Sequence, residues 1–186
     1  MAADTVKSAS ITSRDAAAQS LSAPLTAGNG APCLFANASD YVTMTSGGLA
    51  STSSTYKMVR LPSNATIKKG NLYTKSGLDS STGLKVDIGA YYSDSINDGT
   101  PASLQGTLIS ANCFAAAQAF GQSGAGSNID AFSNLDANLR NSPLWAQVGL
   151  ATDPGGYIDI VLAVNAAASG TATAGNVGLN VEVVTV

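Results

Sequence analysis

The feature that most limits how this chain can fold is a succession of short apolar runs, each ended by Gly, Asn, Asp or Pro. In the clearest run, 84–92, every second residue is apolar: Leu84, Val86, Ile88, Ala90 and Tyr92. A period of two predicts a β-strand with one buried and one wetter face. Residues 177–186 alternate in the same way, which predicts a paired strand at the C-terminus. Residues 157–164 are apolar at nearly every position except Asp159, as expected of a strand covered on both faces.

Weaker runs complete the strand pattern: 41–45, 56–61, 65–76, 103–109 and 145–149. The total is about eight strands, separated by turn-forming sequences such as those at 61–64, 97–99 and 153–156. Many short strands at this spacing predict a mainly β fold, either a β-sandwich or a jelly roll. A closed barrel stays open as an alternative, because the pattern does not show how the sheet edges meet.

One segment departs from the strand pattern. Residues 110–120 are rich in Ala, which has the highest helix propensity, and Phe114, Ala117 and Phe120 would share one face at helical spacing. Gly121 follows as a stop signal. The sequence therefore predicts one short helix among the strands.

The first 30 residues show neither strand nor helix periodicity and are rich in Ala, Ser and Thr. They predict an extended N-terminal arm, residues 1–30, ahead of a β-sandwich domain, residues 31–186. Such an arm could become ordered only on a neighbouring subunit, where main-chain hydrogen bonds offset the loss of chain entropy.

Charge is scarce in this chain. Charged residues make up 11% of it, against about 25% in an average soluble protein. A weakly charged surface of small residues suits close contact with other subunits. The net charge of −3 argues against nucleic-acid binding, which needs a basic face. No apolar run is long enough to cross a membrane and residues 1–25 lack a signal-type apolar region, so we expect a protein made in the cytoplasm that has no membrane partner.

Catalytic signatures are missing from the sequence. The chain has no histidine, which excludes the Ser-His and Cys-His nucleophile pairs and the commonest zinc ligand. Cys33 and Cys113 have no CxxC partner, so we expect two reduced, buried thiols, with a disulfide as the alternative. No phosphate-binding loop is present. We therefore predict a non-enzymatic protein with no catalytic residue, no cofactor and no metal site.

Acidic residues offer the remaining route to chemistry. Segment 94–99 resembles a calcium loop, but Ile96 stands at the second ligand position and Gln105 replaces the bidentate Glu, which favours a solvated turn. Glycosidases need only two carboxylates. Asp87 and Asp159 lie within predicted strands, however, and we expect them to be half-exposed, or paired with Lys85 or Arg60, rather than catalytic.

The order of several segments resembles that of small virion structural proteins of tailed bacteriophages. Residues 56–67 match a strand, a Leu-Pro turn and a second strand, and 83–89 match a strand that ends in Asp-x-Gly. Residues 143–150 and 153–160 are similar to the Trp-containing strand, the turn and the closing strands of those proteins. The resemblance runs from about residue 55 to the C-terminus and is carried by packing and turn positions.

This resemblance implies a capsid decoration (cement) protein, bound outside the major capsid protein of the virion and stabilising the shell as a homotrimer. Four aromatic side chains are candidate anchors for such contacts, although a place in the core is as good a reading of each: Tyr91, Tyr92, Trp145 and Tyr157. The alternatives are a tail, neck or fibre component of the virion, or a carbohydrate-binding β-sandwich module.

Overall fold

A computed structural model describes residues 5–8, 11–12, 34–96 and 98–185. Strands account for most of the regular structure in these ranges. The strands are β1 (Thr5–Lys7), β2 (Leu34–Met44), β3 (Thr55–Pro62), β4 (Thr66–Ser76), β5 (Lys85–Tyr92), β6 (Leu108–Ala119), β7 (Ala125–Asp130), β8 (Tyr157–Ala166) and β9 (Gly175–Thr185), and the helices are α1 (Ser46–Leu49) and α2 (Leu144–Gln147).

The described strands form two sheets. A five-stranded sheet has the order β1-β3-β8-β5-β6, and a four-stranded sheet has the order β2-β9-β4-β7. Neighbouring strands are antiparallel except for β1 and β3, which run parallel. The predicted mainly β fold is confirmed as a β-sandwich, and the described strands do not close into a single barrel.

The core lies between the two sheets, and its residues follow the predicted alternation, although the face of β5 that was expected to be wetter is also buried at Asp87 and Gly89. In β5, Val86, Ile88 and Ala90 are buried in the core. In β9, the core residues are Val177, Leu179, Val181 and Val183, while Asn180 is exposed. Because alternate positions of a strand point to opposite faces, the period-two pattern alone assigned the inner face of both strands.

Strand β8 lies at the centre of the five-stranded sheet, between β3 and β5. Ile158, Ile160 and Leu162 point into the core and are fully buried. Asp159 and Val161 lie on the opposite face and are also buried. The prediction of a strand covered on both faces is confirmed.

The predicted helix at 110–120 is wrong, because the segment forms β6. Strand β6 pairs with β5 through a ladder with three register shifts, and Ala117 takes a positive φ of 48° within it. Without β6, the outer edge of β5 would have unpaired backbone groups, so its hydrogen bonds outweigh the helix propensity of the Ala residues. Phe114 is still buried, where its ring meets Phe132 edge-on with centroids 4.9 Å apart.

The predicted strand at 145–149 is also wrong, since helix α2 occupies this place. The backbone N–H of Leu144 donates to Ala65 O at 2.6 Å and that of Trp145 to Ser63 O at 3.0 Å, so the helix N-terminus closes on the turn before β4. Gln147 is buried and bonds Ile67 twice, accepting from its N–H at 3.2 Å and donating to its carbonyl at 3.0 Å. The hydrogen bonds of the Gln147 side chain take the place of the main-chain pairing that was expected of a strand at 145–149.

Two further differences concern strand boundaries. Most of the predicted strand at 103–109 is turn, and β6 begins only at Leu108. Strand β7 was not predicted, because Ala125–Asp130 carries mostly small and polar residues; it pairs with the edge of β4. An edge strand with one face in solvent needs little apolar pattern, which is why the sequence did not indicate it.

Within the predicted arm, Thr5–Lys7 forms β1 at the edge of the five-stranded sheet, parallel to β3. Its three residues are too few to show a period in the sequence. Apart from 5–8 and 11–12, the predicted arm 1–30 lies outside the described residues.

Candidate interaction face

Asp159 belongs to a buried charge network on the outer face of the five-stranded sheet. Arg60 Nε donates to Asp159 Oδ1 at 2.6 Å and Arg60 Nη2 to Asp159 Oδ2 at 3.0 Å, which is a two-bond ion pair. Lys57 Nζ lies 3.3 Å from Asp159 Oδ2. Asp159 is therefore paired with Arg60 as expected, and it is fully buried rather than half-exposed. Breaking one partner of such a pair leaves an uncompensated buried charge, so this carboxylate has a structural role.

Asp94 extends the network towards the N-terminal strand. Its Oδ1 accepts from Arg60 Nη2 at 2.7 Å, and its Oδ2 lies 2.9 Å from Lys57 Nζ and 2.8 Å from Lys7 Nζ. Burial opposes ionisation of this carboxyl, but the bonds from Lys7 and Lys57 hold its pKa well below the ordinary value. Its oxygens are thus bonded to cationic side chains, and this arrangement does not resemble a calcium ligand.

Asp87 is buried on the same sheet face and serves the β5–β6 ladder. It accepts from the backbone N–H of Ala117 at 2.6 Å and from Asn165 Nδ2 at 2.9 Å, with neither bond coming from Lys85. The first bond satisfies the N–H at the irregular, positive-φ position of β6. Asp87 therefore holds an irregular strand in place.

Asp79 joins two loops and was not singled out by the sequence. Its buried carboxylate accepts five backbone N–H groups at 2.9 to 3.2 Å, from Ser81, Gly83, Leu84, Ser169 and Gly170. Burial opposes its ionisation, but the backbone hydrogen bonds outweigh this and lower its pKa. Because the carboxylate binds both the 79–84 turn and the 169–170 turn, it fixes the crossing from β4 to β5 against the crossing from β8 to β9.

The remaining reactive groups form no site within the described ranges. No group of three or more Cys, Asp or Glu side chains among residues 5–8, 11–12, 34–96 and 98–185 is placed to hold a metal ion. Cys113 is half-buried and is not in a disulfide, and burial raises the pKa of its thiol to about 12. Cys33 lies outside the described residues. No helix of the described chain is long and apolar enough to span a membrane.

The exposed aromatic residues are not the predicted anchors. All four candidates are half-buried: Tyr91, Tyr92, Trp145 and Tyr157. Trp145 packs against the core. The large apolar side chains exposed in the described part of the chain are Tyr41, Tyr73, Ile96 and Leu108. Two of these, Tyr41 and Tyr73, lie on one surface, the outer face of the four-stranded sheet.

We call this surface the tyrosine face and define it by six exposed side chains: Ser39, Tyr41, Asn71, Tyr73, Asn128 and Asn180. Strand register sets them in two adjacent rows. One row runs Tyr41, Gly178, Tyr73, Asn128, and the next runs Ser39, Asn180, Asn71. Rows two residues apart lie about 7 Å from each other, so the six side chains form one continuous patch.

Gly178 allows Tyr73 to lie across the middle of the face. A Cβ built at Gly178 would come within 2.4 Å of Tyr73 Cζ, so the tyrosine ring occupies the space above the glycine. Tyr41 stands on the other side of Gly178, and the exposed fractions of Tyr41 and Tyr73 are 55% and 44%. Two rings with polar tips therefore project beside a central glycine.

The side chains around the two rings are rich in hydrogen-bonding groups. Asn71 Nδ2 donates to Asn128 Oδ1 at 3.1 Å. Charged side chains border the face: Asp130 lies opposite Asn71, Lys75 follows Tyr73 on the same strand, and Lys69 forms an exposed ion pair with Glu182 at 3.0 Å. A surface of Tyr, Asn and Ser resembles an antibody paratope in composition, where Tyr supplies contact area and Asn and Ser supply hydrogen bonds.

The sequence predicted which of these side chains face outward, but not that they lie side by side. Tyr73 and Asn71 stand on the polar alternation of predicted strand 65–76, and Asn180 on that of 177–186. Such alternation shows which residues face outward within one strand. It does not show that β2, β9, β4 and β7 are neighbours, and only that order gathers the side chains into a patch.

Comparison with solved structures shows that the whole architecture has counterparts. A chain in the capsid of Ralstonia phage GP4 superposes with a TM-score of 0.57 at 15% identity, over 91% of this chain and 94% of that chain. A chain in the cyanophage Pam1 capsid asymmetric unit superposes with a TM-score of 0.51 at 16% identity, over 90% of this chain and 96% of that one. At these identities the likeness establishes a shared fold. No family model and no curated protein matches the sequence.

Proposed function

We propose that this chain is a structural protein of a bacteriophage capsid, of the decoration (cement) type, which binds the outside of the major capsid protein shell and stabilises it. The observation that carries the proposal is the match over nine-tenths or more of each chain to proteins in two phage capsids. A match of that extent supports the proposal, because it covers the complete sandwich rather than a shared motif.

The tyrosine face is the surface best suited to hold the subunit on its shell. Tyrosine rings bury large areas at low conformational cost, and tyrosine is enriched among interface residues that dominate binding energy. None of its six defining residues is charged, and the charged side chains Lys69, Lys75, Asp130 and Glu182 border it, so a neighbouring protein surface could cover its centre without burying an unpaired ion. Among the described residues, the buried ion pairs lie on the other sheet.

In this proposal, the stabilisation of the shell depends on two quantities: the area buried at each contact and the number of copies that make such a contact. A contact of about 1,600 Å² can be weak or tight depending on its central residues. Hundreds of such contacts, in the form of trimers that span adjacent capsomers, would stiffen a shell even where each contact is modest. Localisation on the capsid exterior and assembly in the host cytoplasm are parts of the same proposal.

The test measures occupancy on particles produced from the genome that encodes this chain. Quantitative mass spectrometry of purified particles should find hundreds of copies. The double variant Tyr41→Ala/Tyr73→Ala should bind the particle at least about tenfold more weakly, which corresponds to a loss of 1.4 kcal/mol, and should therefore show lower occupancy at subsaturating concentration. The matched control is Ile96→Ala, which removes an exposed apolar side chain outside the tyrosine face.

Two results would count against the proposal in different ways. Six or twelve copies per particle would instead support the tail, neck or fibre alternative. Hundreds of copies with unchanged occupancy of the double variant would keep the capsid role and reject the tyrosine face as its contact.

A second candidate function, carbohydrate binding, is favoured by one observation on the same face. A shallow groove of about 330 Å³ beside Tyr73 is lined by the amides of Asn71, Asn128 and Asn180 and, at one end, by the ion pair of Lys69 and Glu182. Aromatic rings flanked by amides suit a neutral sugar, which offers a C–H face and many hydroxyl groups. A glycan array probed with the isolated protein at micromolar concentration, with Tyr73→Ala as control, distinguishes this function from shell attachment.

A further inference from the structure

We propose that the irregular backbone of β6 protects the edge of the five-stranded sheet, so that this edge does not pair with the edge of another copy of the chain. Asp87, on the neighbouring strand β5, is the residue that holds the irregularity in place. The inference goes beyond the capsid role and does not depend on it, because it concerns how the folded subunit avoids uncontrolled association.

Among the edge strands of the described sheets, β6 differs in having no charged residue. The edge strands are β1 and β6 in one sheet and β2 and β7 in the other. Lys7 lies in β1, Asp40 in β2 and Asp130 in β7. Residues 108–119, which form β6, contain neither a charged residue nor proline. Charges and prolines are the usual protection of an edge, because a bare row of backbone N–H and C=O groups is a template for another strand.

The pairing of β6 with β5 breaks up that row of backbone groups. In β5, Ile88 and Ala90 are two residues apart. Their partners in β6, Ala115 and Ser110, are five residues apart, so three residues of β6 (five minus two) have no opposite residue in β5. A further register shift lies on each side of this bulge. Extra residues bend and twist a strand, and a straight partner strand cannot follow it.

Asn134, in the segment that follows β7, uses two carbonyl groups of the bulge. Its backbone N–H donates to Phe114 O at 2.8 Å, and its Nδ2 donates to Asn112 O at 3.4 Å. These acceptors are already bonded within the chain, so they offer less to an incoming strand. The middle of the β6 edge is therefore closed by contacts inside the subunit.

Ala117 continues the irregularity towards the end of β6. It is exposed and takes a positive φ of 48°, a conformation that interrupts an extended strand and is unfavourable for alanine. Its backbone N–H donates to Asp87 Oδ1 at 2.6 Å, and Asp87 Oδ2 accepts from Asn165 Nδ2 at 2.9 Å. A buried carboxylate, held on its other side by Asn165, thus stabilises the unusual backbone. Asp87 is a positioning residue for the edge.

A regular β6 would present an edge of twelve residues without a charge. Two such edges from two copies could pair antiparallel about a two-fold axis, because each would be complementary to itself. Charged residues make up only 11% of the chain, so electrostatic repulsion between copies is weak. The irregular backbone is therefore the main barrier to pairing at this edge.

Valine at position 117 tests the inference. A β-branched side chain strongly disfavours a positive φ, so Ala117→Val should move this residue to an extended conformation and make the end of β6 regular. Size-exclusion chromatography with light scattering over a concentration series measures the mass, and circular dichroism checks the fold. We expect the mass of Ala117→Val to rise with concentration to at least double that of the parent protein, because edge pairing joins two assemblies.

Two matched variants separate backbone shape from added apolar surface. Ala119→Val adds the same side chain at another exposed position of β6, where φ is not positive. Ala117→Gly accepts the positive φ without strain. Both should keep the mass of the parent protein at every concentration. Equal association of Ala119→Val and Ala117→Val, or an unchanged mass of folded Ala117→Val, would overturn the proposal.

Asp87 provides a second test, which decides the matter if Ala117→Val does not fold. Asp87→Ala removes the acceptor of the Ala117 N–H, whereas Asp87→Asn keeps an oxygen for that bond and an amide that can pair with Asn165. We expect association that rises with concentration for Asp87→Ala and the parent mass for Asp87→Asn. Equal masses of the two variants would contradict the role of Asp87. These measurements use no virus particle, so they stand whether or not the capsid role is correct.

Discussion

At the scale of single residues, buried carboxylates hold this protein together. Asp159 pairs with Arg60 beneath the outer face of one sheet, while Asp79 binds five backbone N–H groups where two loops meet. Hydrogen bonds to an ionised acceptor each contribute about 1.5–3 kcal/mol. We therefore assign these buried carboxylates a structural role, because their hydrogen-bonding capacity is used to hold strands and loops together.

We expect Asp79→Asn to lower the free energy of unfolding by about 2–4 kcal/mol at pH 7, because the amide removes the charge and turns an N–H donor towards N–H donors. The folded-state pKa of Asp79 is lowered, so its contribution is fully present above the unfolded-state pKa and is lost as pH falls through the folded value. Urea unfolding at pH 7 and pH 3 should therefore show a smaller deficit of the variant in acid. Asp136→Asn, at an exposed position, is the control, with a change within about 0.5 kcal/mol. An equal deficit at both pH values would contradict this role for the charge.

At the scale of elements, β6 shows how a neighbouring strand overrides local propensity. The Ala-rich segment has high helix propensity, yet it completes the sheet beside β5 and crosses closely over Gly89. A Cβ at Gly89 would lie 2.3 Å from Ser110 O and 2.4 Å from the carbonyl carbon of Ala111. The glycine in β5 therefore makes room for the irregular backbone of β6.

We expect Gly89→Ala to destabilise the protein by about 1–3 kcal/mol, because the added methyl group meets backbone atoms that cannot rotate away. Thermal unfolding followed by circular dichroism measures the change. In the control, Gly124→Ala, the methyl group would meet nothing within 4 Å, and only the positive φ of 69° opposes it, at about 1 kcal/mol. If the two variants lost equal stability, backbone conformation rather than the β6 crossing would explain the effect.

At the scale of the whole molecule, the N-terminal segment adds one parallel edge strand, β1, to the sandwich. The main core cluster between the sheets is built from residues of β2 onward, with Val6 packed at its periphery, while Ile11 is buried outside that cluster. The charge network remains paired through Lys57, Arg60, Asp94 and Asp159 when Lys7 is absent.

We expect deletion of residues 1–25 to leave a cooperatively folded β protein with weakened attachment to its particle. Circular dichroism and a thermal melt measure the first property, and occupancy on purified particles measures the second. Lys7→Ala in the full chain is the matched milder variant, since it removes one ion pair and keeps the backbone ladder. Full occupancy after the deletion would show that the N-terminal segment is passive in attachment.

The sequence by itself determined the class of fold, because the alternation of residues 84–92 and 177–186 is a local property that any sheet must respect. It also indicated that β8 is covered on both faces, because the strand is apolar at nearly every position, whereas the strand order put β8 between β3 and β5. Tertiary structure alone decided the secondary structure of two segments. Residues 110–120 form a strand because they pair with the edge of β5, and residues 144–147 form a helix whose Gln147 side chain bonds Ile67. Tertiary structure also decided the tyrosine face: alternation turns Tyr41 and Tyr73 outward, but only the pairing of both strands with β9, around Gly178, makes them neighbours. Strand order depends on contacts between residues far apart in the chain, and no local pattern records it.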